Sequence, residues 1–319
     1  MGKDKIEFEQ IIERGCGIDV HKKVIVATIG GKGIKEETRT YDSYTTSLKE
    51  LQEWLKAHGV THIAMESTGV YWKPLYNIFE ESFEIVLVNA RHIKNVPGRK
   101  TDKKDSKWIL KLLLSGLLSG SFIPPRHIRE LRDLTRYRRK VVGQISSEKN
   151  RLQKILEDAN IKLSSVLSDM SGSTATKIIN KILSGVEDVK ALSKLRHGRM
   201  KSSKAELEKS LEGHITEHHK FMLRMIKESI EEKEGIVKKI ETRIENHLKE
   251  NELEMDVKLL ESIPGVGREG AVGILAEIGD DMSRFPSEKH LSSWAGMSPG
   301  NNESAGKKKV VGLRMGTNT

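Results

Sequence analysis

Between residues 17 and 29 two runs of apolar and β-branched residues flank a polar centre, His21-Lys22-Lys23. That pattern predicts a strand, a turn and a second strand, with Asp19 inside the first. Residues 33–40 read as a third strand. Leu48, Leu51, Trp54 and Leu55 recur at helical spacing and predict a helix over 47–58. A short buried strand over 61–66 stops on Glu66 ahead of a turn at Gly69, a helix follows over 72–81, and 83–88 is again a strand. Beyond it Thr101 can cap a helix that Trp108, Ile109, Leu112 and Leu113 carry onward. The order βββαβαβα predicts an α/β domain, a mixed sheet flanked by helices.

The pattern then becomes wholly helical. Leu131, Leu134, Val141, Ile145, Leu152 and Ile155 step in sevens, threes and fours and predict one long helix over 127–159. Short helices joined by Ser/Gly turns fit 163–195. A second long helix is expected over 203–250, through Leu207, Leu211, Ile215, Met222, Ile226, Val237, Ile240, Ile244 and Leu248. Two long amphipathic helices of similar length suggest an antiparallel coiled coil, within a chain or between protomers. Farther on, helix, Pro264-Gly265-Val266-Gly267 turn and helix form a helix-hairpin-helix pattern at 257–279. Gly265 and Gly267 would let the backbone approach a phosphate; a plain helical hairpin would use the same residues. The organisation expected is an extension at 1–14, an α/β domain at 15–125, a helical region at 126–252 and a small helical domain at 253–319.

Charge sharpens this picture. The chain carries a formal net charge of +10, and residues 91–140 alone hold fifteen Lys/Arg against four Asp/Glu. So concentrated an excess points to a polyanion, with nucleic acid ahead of an anionic membrane. Lys111 interrupts the longest apolar run, and the opening residues lack a signal-peptide core, so a cytoplasmic protein is expected. The single cysteine, Cys16, excludes an internal disulfide and a cysteine-based zinc site.

Candidate chemistry begins with Asp102 and Asp105, three residues apart at a helix start and therefore on one face. Arg99, Lys100, Lys103 and Lys104 surround them. Paired acids inside a basic run fit a metal-dependent site acting on nucleic acid, while a solvated helix start whose acids complement the dipole fits as well. Asp19 and Glu66 are odd residues for a buried sheet, where an unpaired charge is expensive. They become intelligible if the strands lie side by side and all four acids form one cluster able to hold Mg²⁺. Arg136, Arg138 and Arg139, beside Tyr137, suit either a nucleic-acid backbone or a solvated helix face. Two lookalikes are set aside. His214-Ile215-Thr216-Glu217-His218 matches H-x-x-E-H but sits in a charged helical stretch without a third ligand. Gly265-Val266-Gly267-Arg268-Glu269-Gly270 matches G-x-G-x-x-G, yet a helix precedes it where a strand is required.

GIDVHKK at 17–23, MESTGVYWKPLYN at 65–77 and NARHIKNVPGRKTDKKDSKW at 89–108 resemble the DEDD domain of the IS110/IS1111 family of transposases, or recombinases. The resemblance implies a fold like RuvC and RNase H over roughly 15–125. It also implies a metal-binding quartet of Asp19, Glu66, Asp102 and Asp105 holding Mg²⁺ or Mn²⁺, with Thr68, Gly69 and Tyr71 shaping the loop beside it. The stretch from Phe285 to Lys307 resembles the second domain of the same family, and the family's nucleophilic serine falls on Ser304, followed by Lys307. From the residues alone Ser304 is a serine in a polar loop. The implied activity is excision and insertion of a mobile element, with Ser304 attacking DNA and the metal site assisting. The implied partners are DNA at the element ends and target, a guide RNA, and further copies of the chain in a dimer or tetramer. The acids and Ser304 lie far apart in sequence, so one protomer's quartet is expected to meet another's serine. The alternatives are a RuvC-like nuclease that activates water without Ser304, and an inactive remnant that only binds nucleic acid. Family members continue through a basic segment and a G-N-K-Y motif, which a one-base shift after Lys309 could encode here. A frameshifted or truncated version of a longer protein is therefore expected, with a natural short variant as the alternative.

Overall fold

The structure is a computed structural model that describes residues 11–67, 69–89, 105–170, 172–198 and 200–297, with the backbone of 303–304 and 307–308. The chain forms two compact units, Met1–Ile123 and Pro124–Thr319.

In the first unit β1 (Arg14–Val20), β2 (Val24–Gly31), β3 (Ile34–Asp42), β4 (His62–Glu66) and β5 (Glu84–Val88) form one sheet in the order β3-β2-β1-β4-β5. The β1–β2 and β2–β3 pairs are antiparallel, whereas β1–β4 and β4–β5 are parallel. Alternation decides the faces. Cys16, Ile18, Ile25, Ala27, Ile29, Ile63 and Met65 point to one face. There they bury Leu48, Leu51, Trp54 and Leu55 of α1 (Thr45–Ala57) and Leu75 and Phe79 of α2 (Trp72–Phe79). Each fully buried Leu or Ile contributes roughly 1.5–3 kcal/mol relative to exposure. The opposite face carries Ala64 and Val88 against Ile109, Leu112 and Leu113 of α3 (Asp105–Leu114). Helices thus cover both faces of a mixed sheet.

In the second unit α4 (Arg126–Asp158) lies antiparallel to α9 (Glu217–Glu250), since the beginning of each helix meets the end of the other. His247 Nε2 is 2.7 Å from the His127 carbonyl at one end, and His219 Nε2 is 2.9 Å from Asp158 Oδ2 at the other. Leu152 and Leu156 with Leu223 and Ile226 are buried under α5 (Leu163–Val166), α6 (Ser173–Leu183), α7 (Val189–Ser193) and α8 (Lys204–Leu211). Val141, Ile145, Ile240 and Ile244 are buried with Val257 of α10 (Glu254–Glu261) and with Ala271, Val272 and Leu275 of α11 (Arg268–Ile278). α12 (Glu288–Trp294) follows, and β6 (Glu303–Ser304) pairs antiparallel with β7 (Lys307–Lys308).

One long helix expected over 203–250 is two helices. The break falls where Gly213 passes the end of α4: a Cβ there would lie 2.5 Å from the Ala159 carbonyl oxygen, and the His214 N–H donates to that oxygen. Thr216 then starts α9 with a capping box, its hydroxyl accepting from the His219 N–H while His219 Nδ1 accepts from the Thr216 N–H. His214 therefore lies before the helix and His218 within it, so the H-x-x-E-H residues do not share one helical face. The G-x-G-x-x-G stretch follows helix α10, with no strand before it.

Candidate functional site

The parallel register of β1 and β4 ends on the pair Ile18 and Met65, the residues directly before Asp19 and Glu66. Both acids occupy positions that alternate away from the Ile18 and Met65 side, on the face that α3 covers. Glycine at 17 makes that cover close. A Cβ at Gly17 would lie 2.2 Å from the Ser106 carbonyl oxygen and 2.3 Å from the Leu110 nitrogen, so the first turns of α3 rest directly on β1 backbone. Asp105, the first residue of α3, is brought to the end of β1 where Asp19 stands. Thr28 on β2 meets the same helix: its Oγ1 is 2.8 Å from Ser106 Oγ, and both residues are buried. Lys107, next in the helix, pairs with Glu36 on β3.

The electrostatics register this convergence. Burial pushes the Asp19 carboxyl above the ordinary carboxylate range; the charges of Asp105 and Glu66 add to the rise, while His21, with Nε2 3.1 Å from Asp19 Oδ2, opposes it. Asp19, His21, Val26, Thr38, Asp105, Ser106 and Lys107 line one open cleft. Among the described residues, no three His, Cys, Asp or Glu side chains stand close enough to hold one ion together. Asp102, together with Thr68, Arg99, Lys100, Thr101, Lys103 and Lys104, lies outside the described residues. As donors the carboxylates are hard oxygen ligands suited to Mg²⁺ or Mn²⁺, and a cation would favour the charged form of Asp19 that burial disfavours. The sequence reading singled out Asp19 but missed His21, Thr28 and Ser106. An Asp-x-His spacing at a strand end could have drawn notice to His21; nothing local marks the other two.

In the second unit Ser304, the serine expected as nucleophile, pairs in register with Lys307 across the two-residue strands β6 and β7. Gly265 has φ +88°, a left-handed value that favours glycine. Gly267 does not: it precedes α11 with φ −85°, and a Cβ built there meets nothing within 4 Å. The expected arginine contacts are partly engaged within the fold. Arg136 donates from Nε and Nη2 to the two carboxylate oxygens of Glu277 at 2.9 and 2.8 Å. Arg138, with its side chain 17% exposed, reaches both Glu241 and Glu269. Arg139 is exposed.

A mixed sheet with helices on both faces, followed by a helical extension, fits a RuvC-like domain and what is appended to it. A family model described as a transposase, the DEDD transposase of IS110, matches residues 16–161. Another, described as the transposase IS116/IS110/IS902 family, matches residues 257–317. The two matches together take in more than half of the chain, which belongs to the IS110 family of transposases. The chain is also 44% identical over 59 residues to a Streptomyces coelicolor protein named as the mini-circle transposase for IS117, a stretch that makes up 18% of this chain and 14% of that protein. No helix among the described residues is long and apolar enough to cross a membrane.

Proposed function

We propose that this chain is a DNA recombinase of an insertion sequence, which cuts and rejoins strands with Ser304 as nucleophile and the carboxylates Asp19, Glu66, Asp102 and Asp105 as a divalent-metal site. The observation that carries the reading is geometric: Asp19 and Asp105 line one open cleft at the end of β1, and Glu66 ends the neighbouring parallel strand. Like charges gathered at an element end make little sense for stability and good sense as ligands for a cation. In support, the two family matches cover both the stretch with these carboxylates and the stretch with Ser304.

Ser304 Oγ attacks a backbone phosphorus. The new P–O bond replaces the bond to the departing sugar oxygen, which takes up a proton, and the strand is held as a phosphoserine. A sugar hydroxyl of the new partner strand then attacks that phosphorus, reversing the step and returning the proton to Ser304. No bond energy is lost to water, so rejoining needs no cofactor such as ATP. Bound Mg²⁺ or Mn²⁺ would supply positive charge against the crowded phosphate oxygens. The four carboxylates would hold and orient it, and His21, with Nε2 3.1 Å from Asp19 Oδ2, orients the Asp19 carboxylate.

DNA and a guide RNA would be held through phosphates by Arg99, Lys100, Lys103, Lys104, Arg139 and Lys307 and by backbone N–H groups at Gly265 and Gly267. Arg136 and Arg138 would join only by exchanging their glutamates. Residues 15–125 act as the catalytic domain, 126–252 as a coiled-coil spacer, and 253–319 as the serine-bearing domain with its helix-hairpin-helix. In a dimer or tetramer the acids of one protomer meet Ser304 of another. The test is to replace Asp19 or Asp105 by Asn and measure strand cleavage and DNA affinity together. Cleavage is expected to vanish while affinity stays within about threefold, because basic residues supply the binding. Equal loss of both would count against the assignment.

A further inference from the structure

α3 is fixed to the sheet by different means along its length. Ile109, Leu112 and Leu113 hold its body by apolar burial. Its first turn is tied by hydroxyls instead. Ser106 Oγ is 2.8 Å from Thr28 Oγ1, and Thr28 Oγ1 is 2.9 Å from Thr38 Oγ1, a chain of three hydroxyls that runs from the helix across β2 to β3. Thr28 is 0% and Ser106 1% exposed. An apolar pair of the same shape would fill this space at little or no cost in stability. A hydrogen bond adds what an apolar contact lacks, a fixed distance and direction. Beneath the same turn Gly17 removes the one side chain that would hold the helix away from β1. Asp105 directly precedes Ser106, and Asp19 lies two residues beyond Gly17 on the same face of its strand.

We propose that Gly17, Thr28 and Ser106 are positioning residues for the carboxylate site: the glycine sets how closely α3 approaches β1, and the hydroxyl pair fixes where along that contact Asp105 stands relative to Asp19. The inference rests on the reading of Asp19 and Asp105 as metal ligands. It assigns a task to three residues that need touch neither metal nor DNA.

The experiment is a Mn²⁺ titration of the full chain, with free Mn²⁺ followed by electron paramagnetic resonance and melting temperature measured in parallel. Thr28→Val is expected to weaken Mn²⁺ binding by about tenfold or more, the range seen when groups that orient metal ligands are removed. Thr28→Ser, which keeps the hydroxyl, is expected to bind within about threefold of the unaltered chain. In the Thr28→Val/Ser106→Ala double variant no buried hydroxyl is left without a partner on the helix, so melting temperature recovers toward the starting value while Mn²⁺ binding stays weak. A merely structural role would instead make affinity follow melting temperature across the set, and that result overturns the proposal. Equal weakening by Thr28→Val and Thr28→Ser also overturns it, because lost packing would then explain both. If the unaltered chain binds Mn²⁺ and Thr28→Val binds it equally well, this inference alone fails. If the unaltered chain binds none, the metal reading fails with it.

Discussion

Arg138 donates from Nε and Nη2 to the same oxygen of Glu241, at 2.9 and 2.7 Å, and so ties the two long helices of the second unit together. Its remaining reach is taken by Glu269 at the start of α11. A guanidinium engaged on two sides is a structural clamp before it is a phosphate ligand. Arg138→Gln is therefore expected to cost on the order of 1 kcal/mol, at the modest end for charge-assisted bonds because Glu241 and Glu269 are themselves exposed. The salt dependence of DNA binding should stay unchanged. A salt slope that falls by about one with no loss of melting temperature would make Arg138 a phosphate contact instead.

Two glycines are expected to respond in opposite ways to alanine. At Gly17 the added methyl meets α3 backbone at 2.2 Å, and overpacking of that kind costs about 1–3 kcal/mol, visible as a lower urea midpoint. At Gly267 the methyl enters open space at an ordinary φ, so stability should change by less than about 1 kcal/mol. DNA affinity is the readout there. If backbone at this turn approaches a phosphate, Gly267→Ala weakens binding without lowering the midpoint, and unchanged binding removes the turn from the interface.

Cys16 is fully buried in the first unit's core, and burial pushes its thiol far above the ordinary range. The folded chain therefore keeps the proton at pH values where the unfolded chain loses it. Stability from this source is fully present below about pH 8.5 and then declines by about 1.4 kcal/mol per pH unit. Urea midpoints of the unaltered chain and Cys16→Ala, measured from pH 7.5 to 10, should diverge as pH rises, with the cysteine chain losing more. Parallel curves would place the thiol in contact with water.

The α/β order was legible because each element of the first unit announces itself locally. Runs of apolar and β-branched residues gave the strands, Leu48, Leu51, Trp54 and Leu55 gave α1, and a carboxylate inside one apolar strand and another at the end of a second gave Asp19 and Glu66. What escaped notice depends on distant partners. Thr28 and Ser106 are 78 positions apart, and a threonine in a β-strand is unremarkable until the helix above it is known. The basic run from 91 to 140 reads as unpaired charge because Glu241, Glu269 and Glu277, which engage Arg132, Arg136 and Arg138, come from more than a hundred residues away. The break before α9 was hidden by an apolar spacing that continues across it. Only Gly213, pressed against Ala159, and the cap at Thr216 mark the interruption.

The central claim is that Ser304 and the carboxylate site act together on DNA, and covalent trapping tests it most directly. The chain is incubated with Mg²⁺ and a duplex carrying the element's ends, then denatured and resolved from free DNA. The account predicts a denaturant-stable protein–DNA adduct whose linked peptide maps to Ser304. It should be absent from Ser304→Ala and lost on replacement of Asp19, Glu66, Asp102 or Asp105. Strand cleavage with no adduct, or an adduct that persists in Ser304→Ala, would contradict it.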